Sequence, residues 1–137
     1  MGGRFCLLFS LGVAAGCGSA APAPSKIGAE EAARAFHEAL IARDWTKAYS
    51  QLAPETQKVF SGEQFGRLAR DYRQQLGFEP AKVQVRSCEE RETEATAHIT
   101  VRGASIKHRF RDAVLLKQLD DQWWVVLPKN FGQANRK

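Results

Sequence analysis

The sequence predicts an α+β fold, with N-terminal helices packed on an antiparallel sheet of about four strands. Three observations carry that expectation. Apolar residues recur at helical spacing from about residue 29 to residue 76. From Val83 onward they alternate instead with polar ones, the period of half-buried strands. The alternating runs are joined by short turn signals with no helical stretch between them, so the strands form an antiparallel meander covered by the helices on one face.

The first helix is expected from Ala29 to about Arg43, with Ala32, Ala33, Phe36, Ala39 and Leu40 on one face and Glu30 and Glu31 at the positive end of its dipole. Asp44 is placed to cap a second helix whose inner face holds Trp45, Ala48, Tyr49 and Leu52. Pro54 marks a break and the opening of a single turn. Ser61-Gly62-Glu63-Gln64 has the form of a capping box, in which the hydroxyl accepts from the helix and the Gln64 amide reaches back. It opens a long helix with an inner stripe of Phe65, Leu68, Ala69, Tyr72 and Leu76, ended by Gly77.

Val83 and Val85 then alternate with Gln84 and Arg86, and Ala95, Ala97, Ile99 and Val101 alternate with polar residues. Gly103-Ala104 reads as a turn into a long strand, about Ser105 to Leu119, with Ile106, His108 and Phe110 on one face. Its continuous apolar run from Ala113 to Leu116 predicts cover on both faces or a bulge. Asp120-Asp121 turns the chain into a last strand, Gln122 to Leu127, stopped by Pro128. There Trp123 and Trp124 point to opposite faces, one into the core and one available to a partner or ligand.

Ahead of this body lies an export signal. Arg4 provides a positive start, and Phe5 to Ala15 is an apolar run of signal-peptide length, well short of a bilayer span. The run ends at Ala14-Ala15-Gly16-Cys17, which resembles the lipobox of bacterial lipoproteins, although Ala14 stands where leucine is commonest. The resemblance implies cleavage before Cys17 and a lipid (palmitate-type acyl chains) on that cysteine. An ordinary signal cleaved near Ala20 or Ala21 is the alternative. The division expected is therefore 1–16 signal peptide, 17–27 lipidated cysteine and tether with Pro22 and Pro24, 28–130 folded domain, and 131–137 basic polar tail. Localisation follows: exported and anchored on the periplasmic face of an outer membrane, or on the outer face of a single cell membrane.

The order of elements, with Phe36, Ala39, Leu40, Asp44 and Trp45 in the first two helices and Trp123-Trp124-Val125-Val126 in the last strand, resembles the small lipoproteins of the nuclear transport factor 2-like (ketosteroid-isomerase-like) superfamily. The resemblance implies a cone, helices and a curved sheet enclosing a pocket. In the enzymes of that superfamily a carboxylate base works beside a tyrosine that steadies an enolate. Tyr49, Tyr72 and Trp124 are the pocket candidates here, and Asp112 is the carboxylate that could enter from the long strand. The ordinary role of both tyrosines is core packing with a satisfied hydroxyl. Asp112, beside Arg111, is expected to be exposed or arginine-paired.

Other chemistry finds less support. His37 is expected to be solvated on a helix flank; His98 and His108 could approach each other across strands, but no third ligand follows at metal spacing, so no metal and no cofactor is expected. After signal removal and lipidation, Cys88 is the one remaining free thiol, a small core or edge residue. Arg67, Arg70 and Arg73 share a side of the long helix and could attract phosphates or anionic headgroups, with a solvated mixed face as the plainer reading. The formal charge of +5 is modest for 137 residues, and an exported chain has no nucleic acid as its working partner. The function expected is a non-catalytic, membrane-tethered domain that binds an envelope protein or small ligand; the alternative is a small-molecule enzyme, isomerase or lyase in type, using the cone pocket.

We predict that a fatty-acid analogue fed to expressing cells labels the wild-type chain and not Cys17→Ser. Equal labelling of the two, or a mature N-terminus near Ala21, would contradict the lipobox.

Overall fold

Free backbone groups at helix ends need partners, and side chains supply them at the start of the second and fourth helices. A computed structural model describes residues 28–133, with helices α1 (Ala29–Ile41), α2 (Trp45–Ser50), α3 (Pro54–Val59) and α4 (Gly62–Gln75), then strands β1 (Lys82–Arg91), β2 (Glu94–Arg102), β3 (Arg109–Leu119) and β4 (Gln122–Val126). Cys17, the tether and the last four residues of the tail lie outside the described residues. Among the described residues no helix is long and apolar enough to cross a membrane.

α1 ends in a two-bond cap, Asp44 N–H to the Ala39 carbonyl at 2.9 Å and Arg43 N–H to Leu40 at 3.2 Å, with Arg43 itself at φ 60°. The Asp44 carboxylate then accepts from the Lys47 N–H at 3.1 Å and starts α2. The box at Ser61 is complete, Gln64 N–H to the hydroxyl at 3.1 Å and Ser61 N–H to the Gln64 amide oxygen at 2.9 Å. The turn expected at Pro54 is a six-residue helix, α3.

The strands form one antiparallel sheet in the order β1-β2-β3-β4. Register sets which residues share a face: Val83, Val101 and Phe110 lie in one row, Val85, Ile99 and Asp112 in the next, then Cys88, Ala97 and Val114. This inner face receives the helices, and Phe36, Leu40, Leu52, Phe65, Ile99, Val101 and Val125 are the largest fully buried side chains. The end of α2 is tied to β4 by main-chain bonds, Ala53 N–H to Val125 at 2.8 Å and Val125 N–H to Gln51 at 2.9 Å.

Four expectations are corrected. β3 begins at Arg109 rather than Ser105, because Gly103 N–H bonds the His108 carbonyl and His108 N–H bonds Ser105, closing a loop that leaves Ile106 86% exposed. The run Ala113 to Leu116 is covered on one face only: Val114 and Leu116 are buried and Leu115 is 46% exposed. The irregularity lies instead in β1, between Val85 and Ser87. The body also runs past residue 130, since Phe131 and Gly132 are buried against α4. Gly132 has φ +70° and a side chain there would overlap the Leu68 carbonyl, while the Gln75 amide donates to its carbonyl at 2.8 Å.

Cys88 is half-buried on edge strand β1, where burial, then Glu90, Glu30 and Glu89, push its thiol pKa up. A protonated thiol is a poor nucleophile.

Trp123 packs in the core, whereas Trp124 lies on the outer face opposite Lys117. Trp123→Ala should lower stability by about 3–5 kcal/mol, and Trp124→Ala by less than half as much, in denaturant unfolding. Equal losses would contradict this assignment of faces.

Candidate functional site

Three elements bring polar side chains to one buried spot under the helices. α1 turns His37 inward beside Phe36, α4 contributes Tyr72 from its apolar stripe, and Asp112 comes from the inner face of β3. The Tyr72 hydroxyl donates to Asp112 Oδ2 at 3.0 Å and stands 3.3 Å from His37 Nε2. A hydroxyl has one proton, and with that proton on the carboxylate the Tyr72 oxygen keeps lone pairs free to accept from His37 Nε2. His37 Nδ1 is buried and has no hydrogen-bond partner of normal geometry.

Burial sets the charge states. It lowers the His37 pKa from the ordinary 6.5 to about 4; the Ala33 carbonyl one turn back opposes this, without a hydrogen bond of normal geometry. Tyr72 is pushed far above its usual range by burial first, then by the charge of Asp112 and the hydrogen bond to it. The ring of His37 is thus neutral and the phenol protonated at any ordinary pH.

Around this chain the interior is filled by aromatic rings. Phe131 stacks on Tyr72, 5.0 Å between centroids at 17°, and on Phe65, 6.1 Å at 9°. Phe36 tilts against Phe65 at 6.2 Å. A void of about 10 Å³ remains beside His37, Tyr72 and Arg73, about the space of one water and far too small for an organic substrate.

The pocket candidates separate. Tyr49 reaches the same aromatic column through Phe65, at 5.8 Å, but its hydroxyl serves the backbone, donating to the Phe60 carbonyl at 2.8 Å with Gln57 O at 3.1 Å. Tyr72 stands at the centre. Trp124 is on the other face of the sheet, and Cys17 lies outside the described residues.

Several neighbours differ from expectation. His37 is 3% exposed rather than solvated; its spacing from Ala33 and Leu40, four and three residues away, is the signal that marks it as inward. Asp112 pairs with Tyr72 and not with an arginine. Arg73 leaves the basic flank and is 8% exposed, donating to the Leu40 carbonyl at 3.2 Å and Ile41 at 2.9 Å at the end of α1, with an ion pair to Glu79. His98 and His108 do not meet: His98 lies opposite Ala113, while His108 stacks on Phe78 at 5.3 Å beyond the end of the β2–β3 ladder. Among the described residues no three metal-ligating side chains cluster.

No protein-family model and no curated protein sequence matches the chain. Solved structures do. A proposed NTF2-like transpeptidase from Campylobacter jejuni superposes with a TM-score of 0.61 at 16% identity, over 72% of this chain and 97% of that one. A SEC-C motif protein from Rhodopseudomonas palustris gives 0.56 at 14%, over 75% and 78%. Another from Psychrobacter arcticus gives 0.55 at 11%, over 74% of this chain and 59% of its own. The fold is therefore the nuclear transport factor 2-like arrangement of helices on a curved four-stranded antiparallel sheet.

The buried histidine generates a pH prediction. Its folded pKa of about 4 lies below 6.5, so unfolded chains bind the extra proton between those values. The stability it confers is complete above pH 6.5 and falls as the pH drops toward 4, by on the order of 3 kcal/mol. His37→Gln should flatten that part of the stability–pH curve. Parallel curves for the two proteins would contradict the buried neutral ring.

Proposed function

We propose that the chain is a membrane-tethered lipoprotein of the cell envelope whose folded domain binds a partner or ligand without catalysing a reaction. The observation that carries this reading is the filled interior: Phe36, Phe65, Tyr72 and Phe131 occupy the space where a cone enzyme would admit its substrate. The Tyr72 proton is committed to Asp112, and the second carboxylate oxygen, Oδ1, accepts the Ala113 N–H at 2.8 Å. A base and an enolate donor hydrogen-bonded to each other, with no room between them, make a structural polar chain. The lipobox-like segment ending at Cys17 supports the tether, and attachment there would keep the domain at the membrane surface.

The enzyme reading draws on the same Tyr72–Asp112 pair, which has the right chemical types for proton abstraction next to a carbonyl. Transpeptidation, the activity in the name of the Campylobacter jejuni neighbour, needs a nucleophile activated by a base. Burial first, and then the nearby carboxylates, push the Cys88 thiol up and away from the thiolate.

A phenol such as 2-naphthol mimics an enolate and decides between the two. We predict no saturable shift of the Tyr72 resonances on titrating it into the protein. Saturable binding that Tyr72→Phe abolishes would move the chain to the enzymes.

A further inference from the structure

A groove of about 450 Å³ lies between the end of α1 and the C-terminal half of α4, on the outside of the helical layer. Arg43, Arg70 and Arg73 line it together with Trp45, Phe78 and one acid, Glu79. Its volume falls within the range of small-molecule pockets. Three guanidinium groups against one carboxylate leave it positive.

The fold anchors the side chain of one arginine and sets the backbone position of a second. Arg73 is anchored by its bonds to the Leu40 and Ile41 carbonyls. Arg43 occupies the left-handed position of the α1 cap, where the backbone prefers glycine. A residue in a conformation it disfavours points to a role for its side chain. A single carboxylate oxygen, Glu79 Oε1, touches both guanidinium groups, directly on Arg73 and at 3.6 Å from Arg43 Nη2. The Glu79 side chain is 73% exposed, so it can leave that position for solvent. Trp45 and Phe78 are half-buried and supply apolar walls beside the charges.

We propose that this groove binds a small aromatic or planar carboxylate or phosphate monoester. Its oxyanion replaces Glu79 between Arg43 and Arg73, and its ring rests on the aromatic wall. Arginine forks suit both oxyanions, because two N–H groups meet two oxygens. The inference deepens the binding-domain reading by naming a ligand class and rests on that reading for its biological role. The assay depends neither on Cys17 nor on the filled interior, so its failure leaves that reading standing.

Titration of the full chain with benzoate, phenyl phosphate and inorganic phosphate, followed by calorimetry and by the Trp45 indole resonance, tests it. Benzoate or phenyl phosphate should bind saturably and more tightly than inorganic phosphate, and the stronger of the two identifies the oxyanion. Glu79→Gln should tighten binding several-fold by removing the internal competitor. Arg43→Gly and Arg70→Gln should each weaken it by about tenfold. Arg43→Gly should at the same time melt no lower than the wild type, since glycine suits the cap; this separates a ligand contact from a structural role. Absence of saturable binding up to about 10 mM in both wild type and Glu79→Gln would overturn the proposal. So would unchanged affinity in Arg43→Gly, or inorganic phosphate binding as tightly as phenyl phosphate.

Discussion

The column of rings running from Phe36 through Phe65 and Phe131 to Tyr72 is the contact on which the rest of the structure depends. A four-stranded sheet has one face to keep dry, and here helices supply only part of the cover. Phe131, arriving after the last strand, completes it by stacking on rings from α4. Gly132 then permits the tight approach to the Leu68 carbonyl that seats the ring, and Gln75 holds the Gly132 carbonyl. Without this closure the inner face of β2 and β3 would stand open at the Tyr72 end.

Polar groups inside such a core are tolerated because each meets another. An unpaired buried hydroxyl or carboxylate costs about 1–3 kcal/mol or more, so His37, Tyr72 and Asp112 are arranged in series and Arg73 closes two free carbonyls at the end of α1. Among the described residues His37 Nδ1 and Arg102 Nε are the buried side-chain atoms left without a partner, and burial keeps the His37 ring neutral. The same pairing ties these groups to one another within the core. The one proton of the Tyr72 hydroxyl is given to the Asp112 carboxylate. On the outside of the helical layer, the groove beside Trp45 combines a volume of about 450 Å³ with three arginines.

Much of the fold was legible in the sequence wherever a local rule governs. The capping box at Ser61, the cap at Asp44 and the alternation of Ala95, Ala97, Ile99 and Val101 each act over a few residues, and each element formed as read. What could not be read depends on contacts distant along the chain. Phe131 follows a proline and a polar stretch, and only its partners in α4 reveal it as core. Arg73 shares a helical side with Arg67 and Arg70, yet the free carbonyls of α1 draw it inward. Tyr72 and Asp112 were both visible as candidates, but their mutual bond, 40 residues apart in sequence, is a product of register. Ile106 misled because alternation continued through a loop that main-chain bonds close.

The interior of the domain is closed by Phe131, and Phe131→Ala tests this most directly. Denaturant unfolding of this variant should show a loss of about 3–5 kcal/mol, and the cavity left behind should take up benzene or xenon that the wild type excludes. Wild-type stability in the variant, together with saturable benzene binding by the unmodified protein, would mean that the cone is open and that Phe131 does not close it.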